Sequence, residues 1–254
     1  MQEAADEANG QVTAAILVIG DEILSGRTKD ANIGVIAARL GDLGIDLKEV
    51  RIVPDHEPAI IEALNALRAR ATYVFTTGGI GPTHDDITAD AVAKAFGVTI
   101  DVDPRAQALM EAYYTGRGLE LTSARLRMAR IPAGATLIVN AVSAAPGFMI
   151  GNVIVMAGVP GIMRTMLEDA THHLRRGRKT QSRSIAVDHP ESEIAELLRT
   201  HAGEFGDVAM GSYPRTTDGR WTTELVLRSA DPGRLEAAVT GLGNKLRARG
   251  FTIS

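Results

Sequence analysis

The 254-residue chain has no cysteine. Structural disulfides, thiolate zinc sites and cysteine nucleophiles are therefore excluded. Aromatic residues are scarce at 4%, so the core has to be built from Val, Ile, Leu and Ala, which suits parallel strands buried under helices. No stretch is long and apolar enough to span a bilayer, and no membrane partner is expected. The first ten residues carry Glu3, Asp6 and Glu7 and no apolar run, so they do not read as a signal peptide. A soluble, cytoplasmic protein is the expectation. Neither sign of charge dominates, and a formal net charge of -4 argues against a nucleic-acid footprint over the whole molecule. Hydrophobic residues at 45% and charged residues at 23% leave enough apolar material for a proper core.

What is present is an alternation of short apolar runs and helical patterns, the signature of βαβ units and a parallel sheet. Residues 1–12 read as a flexible acidic lead-in. Strands are expected at Ala14–Gly20, Leu47–Val53 and Tyr73–Thr77. Helices are expected at Ala31–Leu43, Pro58–Arg70, Ile87–Phe96, Pro104–Gly116 and Thr122–Arg130. Thr136–Val139, Gly147–Ile150 and Val153–Ala157 read as strands, the last two joined at Gly151-Asn152, and Pro160–Leu174 as a closing helix. These make one domain over 13–174. Arg175, Arg176, Arg178, Lys179 and Arg183 then fall in nine residues without an acid, so 175–183 reads as a basic, solvated linker. Residues 184–254 follow as a small α+β domain of ferredoxin-like order, with Phe251–Ile253 as a last strand.

The most informative segment is Tyr73–Thr88, a buried strand, a glycine-rich turn and two carboxylates at a helix start. Glycine lets backbone N–H groups approach a ligand closely, and a helix N-terminus adds unpaired donors that favour an anion. Asp85 and Asp86 would repel that anion unless a cation or proton lies between. The segment thus points to a phosphorylated ligand handled with a divalent cation. The glycines alone are equally compatible with a tight turn, and Asp86 and Thr88 with helix capping.

Further polar loops sit at expected strand ends, where open α/β sheets bind ligands. They are Gly20–Gly26 with Asp30 and Asn32, Pro54-Asp55-His56, Asn140–Gly147 and Ala157–Gly161. Singly, Asp30 or Asn32 can be an N-cap and Asp55 a turn residue. Together they place acids and small residues on one rim, with Ser25, Asn32, Pro146 and Gly147 as ligand contacts.

Ile19–Gly26, Gly78–Thr88, Ala145-Pro146-Gly147-Phe148 and Gly158-Val159-Pro160 resemble the molybdopterin-binding domain of the MoaB/Mog type. The resemblance is closest to its version in competence/damage-inducible CinA proteins and in the N-terminal half of eukaryotic FAD synthases. It covers about Ala14–Leu174. Gly211-Ser212-Tyr213-Pro214 is similar to the small domain that follows in those proteins, while the C-terminal deamidase domain of full-length CinA has no counterpart. The resemblance implies a three-layer MoaB/Mog-like α/β domain with a mostly parallel sheet. It also implies a homo-oligomer.

Two activities come with it. Mog-type proteins bind and process molybdopterin, and the CinA-like and FAD-synthase versions are associated with metal-dependent hydrolysis of nucleotide pyrophosphates such as ADP-ribose or FAD. Carried over, Gly78, Gly79, Gly81, Thr83 and Thr88 hold the ligand, with Asp86 and Asp55 as catalytic acids. Glu22 and Asp85 would hold Mg, Mn or Co, with a monovalent cation or a molybdopterin ligand as further expectations. The alternative is a pterin- or nucleotide-binding protein without turnover. It is kept open by departures from the CinA-like pattern, in which Ser143 and Ala144 replace a glycine and a threonine and Ile162 replaces a glutamate.

Overall fold

A computed structural model describes residues 11–217 and 220–254. The chain forms two compact units divided between Gly177 and Arg178. Met1–Gly10 of the expected lead-in lie outside the described residues, while Val12 already belongs to the first strand and is buried.

The first unit is built on a six-stranded sheet. Its strands are β1 (Val12–Ile19), β2 (Ile45–Val53), β3 (Tyr73–Thr77), β6 (Thr136–Ile138), β7 (Gly147–Ile150) and β8 (Val153–Met156), in the order β2-β1-β3-β8-β7-β6. β1 pairs in parallel with β2 and β3, and β3 with β8, whereas β7 and β6 are antiparallel additions. β1 is buried along its whole length because both faces are covered. Ala15, Leu17 and Ile19 enter one core with Ile60, Leu64, Val92 and Met110. Ala14, Ile16 and Val18 enter the other with Ile36, Leu40, Met163 and Met166. Those partners assign the outer layers. Helices α3 (Glu57–Arg68), α4 (Thr88–Phe96) and α5 (Pro104–Thr115) lie on one side, and α2 (Ile33–Asp42) and α7 (Pro160–Ala170) on the other. This is the expected three-layer α/β domain with a mostly parallel sheet.

From β1 the chain moves to β2 on one side and then returns to β3 on the other. The strand order therefore reverses at β1, and the crevice at such a switch point opens outside the carboxyl ends of the strands.

The region between α5 and β6 departs from the sequence expectation. The helix expected over Thr122–Arg130 is a single turn, α6 (Ser123–Leu126), followed by a 3-10 turn at Arg127–Ala129. The chain then extends as β5 (Arg130–Pro132), antiparallel to β4 (Ile100–Val102). Pairing with a segment some thirty residues earlier overrides the helical pattern read over Thr122–Arg130, and the helix ends before Pro132 in keeping with the bias that proline places on its predecessor.

The second unit runs β9 (Gln181–Val187), α8 (Glu191–Glu204), β10 (Ala209–Thr217), β11 (Arg220–Ser229) and α9 (Pro232–Ala248), with sheet order β10-β11-β9. Gln181, Ser182 and Arg183, read as linker, are already in β9. Ile185, Val187, Leu225 and Leu227 pack against Ile194, Leu197, Leu235, Leu242 and Leu246. The strand expected at Phe251–Ile253 is reduced to one antiparallel bridge from Ile253 to Val187. It still occupies the fourth-strand position of a ferredoxin-like order. Among the described residues, no helix is long and apolar enough to cross a membrane.

Candidate functional site

β3 ends at Thr77, and the next two residues are glycines for steric reasons. Gly78 and Gly79 have φ of 102° and 65°. A Cβ on Gly78 would lie 2.1 Å from the Ile19 carbonyl oxygen, and one on Gly79 would lie 2.2 Å from Thr88 Oγ1. The turn is held from below. Thr88 donates its hydroxyl to the Gly78 carbonyl at 3.0 Å and its N–H to the Gly79 carbonyl at 3.0 Å. Thr88 is fully buried, so the structure places this expected ligand contact beneath the loop as its brace.

The acids after the turn close on the loop itself. Asp86 Oδ2 accepts from Thr83 N at 2.8 Å and lies 2.5 Å from Thr83 Oγ1, which is also 2.5 Å from Asp85 Oδ1. One hydroxyl hydrogen serves one carboxylate at a time. The bond from Thr83 holds the Asp85 carboxyl below the usual carboxylate range, helped by its own backbone and by His84. A Cβ on Gly81 would stand 2.6 Å from Asp86 Oδ2, so a side chain there would push that carboxylate aside.

After β1 the chain turns into a single helical turn, α1 (Asp21–Leu24). Asp21 N donates to Asp55 Oδ2 at 3.0 Å, joining the loop after β1 to the loop after β2. Burial pushes the Asp55 carboxyl up from its ordinary value. The charges of Asp21, Glu22 and Asp85 push the same way, against the Asp21 N–H bond. Four acids from three loops thus share one electrostatic neighbourhood. Ser25 is exposed and donates to the Glu22 carbonyl at 3.3 Å.

The switch-point crevice is a cleft of about 370 Å³ lined by Ile19, Glu22, Lys29, Asn32, Thr77, Gly78, Gly158 and Pro160, among others. Asn32 donates its amide to the Gly158 carbonyl at 2.7 Å. Its Oδ1, like Thr77 Oγ1, is buried without a hydrogen-bond partner among the described residues. Asp30 caps α2 by accepting from Asn32 N and Ile33 N at 3.0 and 2.7 Å.

A second cleft, also about 370 Å³, lies on the other side of the glycine loop, and Gly79, Gly81, Asp86, Asp90, Arg127, Arg130, Pro146 and Phe148 line it. Arg130 is neutralised by Asp90 through bonds of 2.8 and 2.7 Å. The expected single rim is therefore two clefts flanking one loop. Glu22, Asn32 and Gly78 belong to the first, and Gly79, Gly81, Asp86 and Pro146 to the second. Gly147 is buried in β7, where a Cβ would stand 2.4 Å from the Val155 carbonyl. Just before it, Asn140 ties the loop together, accepting from Val142 N and Ser143 N and donating to Ser143 Oγ and Ala145 O. Ala144 sits there with φ 61°.

Sequence reasoning missed two basic residues. Lys29, in the first cleft, and Arg127, in the second, are exposed, and neither has an ion pair among the described residues. The signal was a lysine close to Arg27 in a 20–32 loop that also carries Asp21, Glu22 and Asp30. For Arg127 there was none, because it sat in an expected helix.

Fold, switch-point crevice and glycine loop define a ligand-binding three-layer α/β protein. Residues 15–176 match the family described as a probable molybdopterin binding domain, and the chain belongs to that family in its CinA-like form. Residues 179–252 match the middle domain of FAD synthase. A CinA-like protein of Desulfosudis oleivorans is 40% identical over 73% of this chain and 48% of its own length. A probable FAD synthase of Caenorhabditis elegans is 31% identical over 91% of this chain and 49% of its own. The chain thus spans about half the length of these two relatives. The crystal structure of CinA from Thermoplasma acidophilum superposes with a TM-score of 0.59 at 32% identity, covering 65% of this chain and 98% of that one.

Proposed function

We propose that this protein binds a small nucleotide or pterin pyrophosphate in the cleft beyond β1 and β3 and hydrolyses it with the help of a divalent cation. The observation that carries the reading is a pair of buried oxygens on residues that line that cleft, Asn32 Oδ1 and Thr77 Oγ1, which have no partner among the described residues. A buried polar atom left unpaired costs about 1–3 kcal/mol, and a ligand's polar groups would satisfy both. Lys29 supplies positive charge for a phosphoryl group, and Gly78 permits close approach of the backbone. The similarity to a probable FAD synthase and to its middle domain supports a nucleotide as ligand.

The oxygen donors of Glu22 and Asp85 suit a hard cation such as Mg, Mn or Co. Among the described residues, no three such side chains are gathered to hold an ion by themselves. That matches the usual mode of Mg, which takes one or two carboxylates and completes its shell with water and ligand phosphates. Held so, a cation would neutralise charge on the phosphoryl groups. The chain's own part is to orient the pyrophosphate and to take a proton. Asp55, whose carboxyl burial raises from its ordinary value, would accept one from the attacking water. Water adds to phosphorus as the bridging P–O bond breaks, and a nucleoside monophosphate leaves.

The test is release of AMP from ADP-ribose, FAD or NAD with and without Mg, Mn or Co. Metal-dependent AMP that falls at least a hundredfold in Asp55→Asn is expected. Absence of AMP with every metal would remove the hydrolase. A second reading, binding without turnover, is favoured by Ile162. That residue packs half-buried against the α2–α7 core, where the CinA-like pattern has a glutamate. Calorimetric binding of FAD or ADP-ribose without release of AMP would select it.

A further inference from the structure

Two buried polar side chains line the first cleft, and their chemistry is not that of a phosphate site. Asn32 and Thr77 are 4% and 1% exposed, and Asn32 Oδ1 and Thr77 Oγ1 have no hydrogen-bond partner among the described residues. The other end of the Asn32 amide settles its orientation. Nδ2 donates to the Gly158 carbonyl at 2.7 Å, where an amide oxygen would face another oxygen. Oδ1 is therefore an acceptor and nothing else. The bridging pyrophosphate of a nucleotide offers only acceptor oxygens and leaves it unsatisfied. The group that meets Asn32 must bring an N–H or an O–H.

The walls indicate which. Val18, Ile19, Ile23, Ala31 and Pro160 give the cleft apolar sides. The loops after β3 and β8 add two glycines whose backbones meet directly, since a Cβ on Gly158 would lie 3.3 Å from Gly78 Cα. Apolar sides and bare peptide suit the faces of a planar ring better than the hydroxyls of a sugar. The donor on the edge of such a ring is an exocyclic amino group.

We propose that Asn32 selects the ligand's heterocycle by its amino group, accepting an N–H at Oδ1, while Thr77 Oγ1 bonds the ring nitrogen beside it. The inference rests on the nucleotide or pterin reading above and adds which rings qualify. Adenine and pterin carry an amino group next to a ring nitrogen, and hypoxanthine and lumazine carry a carbonyl oxygen at the same position. That oxygen would stand against Asn32 Oδ1 with no proton between them. Turning the amide over to offer Nδ2 would set Oδ1 against the Gly158 carbonyl. The Thr77 hydroxyl can donate or accept, so it serves either form of the ring nitrogen and the discrimination falls to Asn32. Sites built to bond an N–H reject an analogue that lacks it far more strongly than apolar contact does.

The test is titration calorimetry of the full chain with AMP against IMP and with pterin against lumazine. The amino member of at least one pair is expected to bind at least tenfold more tightly, and the pair that shows the preference identifies the source of the ring. In Asn32→Ala the ratio is expected to fall to about one. A purely structural role at Gly158 would instead weaken both members alike and keep the ratio. Thr77→Val, close in shape to the wild type, is expected to weaken the preferred probe at least fivefold and to keep the ratio. Equal binding within both pairs overturns the proposal and leaves the nucleotide or pterin reading standing. A preference that survives Asn32→Ala, or full affinity in Thr77→Val, overturns it in the same way. Failure of all four probes to bind overturns both.

Discussion

The Asn32 side chain donates to the carbonyl of Gly158 across 126 positions of sequence, and the same amide leaves its oxygen buried and unpaired. One bond thus ties the start of α2 to the loop before α7, and the remaining acceptor is buried at a residue that lines the cleft. Asn32→Ala removes both. The substitution is expected to weaken nucleotide binding about tenfold and to cost about 1–2 kcal/mol of stability. Titration calorimetry and urea denaturation would read the two effects separately, and unchanged affinity would remove Asn32 from the ligand site.

Gly79 and Thr88 compete for the same space. Gly79→Ala adds a methyl group against Thr88 Oγ1 at a backbone conformation that alanine resists, and is expected to cost about 2–4 kcal/mol. Thr88→Ala is expected to cost about 1–2 kcal/mol through the lost bond to the Gly78 carbonyl. The double variant should cost clearly less than the sum, because the collision disappears with the hydroxyl. Additive costs in urea melts would mean that the two residues do not interact.

Asp55 makes stability depend on pH in a definite sense. Its folded carboxyl is raised above the ordinary value of 3.8. The protonated form is therefore favoured by folding, and the contribution is full below 3.8 and is lost as pH rises through the raised value. Asp55→Asn carries no charge to desolvate. The variant's stability relative to wild type should therefore improve between pH 4 and pH 7. A difference that stays flat or falls over that interval contradicts the placement of Asp55 among like charges.

Ala144 holds a left-handed conformation in the loop fastened by Asn140. That conformation costs a non-glycine residue roughly 1–2 kcal/mol, partly offset by alanine's lower entropy when unfolded. Ala144→Gly is expected to raise stability by about 0.5–1 kcal/mol, visible as a higher urea midpoint at constant slope. A lower midpoint would show that the loop gains from the methyl group.

Much of the fold was legible because the sheet writes itself into local patterns. Tyr73–Thr77 is a strand at the expected bounds, and Ile36 and Leu40 in α2, like Ile60, Leu64 and Leu67 in α3, are buried as their spacing indicates. What failed was non-local. β4 and β5 are three residues each, too short for a period, and exist through pairing with each other. At the site, the residue types around Gly78–Thr88 were readable, but their division between two clefts was not. That division depends on which way each carboxylate folds, and Asp86 turns back onto Thr83. Lys29 escaped notice because one lysine in a loop carries no pattern, and its significance comes from the buried oxygens in the same cleft.

Arg127 opens a short 3-10 turn and Arg130 follows it as the first residue of β5, but the two differ in electrical state. Arg130 is clamped to Asp90 on α4, the helix whose first residue braces the glycine loop, while Arg127 lines the second cleft with no ion pair among the described residues. The clamp is only partly buried, with side-chain exposures of 30% and 33%, so raised ionic strength weakens it. Salt therefore acts on this cleft twice, by screening the free guanidinium from an anion and by loosening the turn that carries it. A charge already satisfied sets the reach of the one that is not.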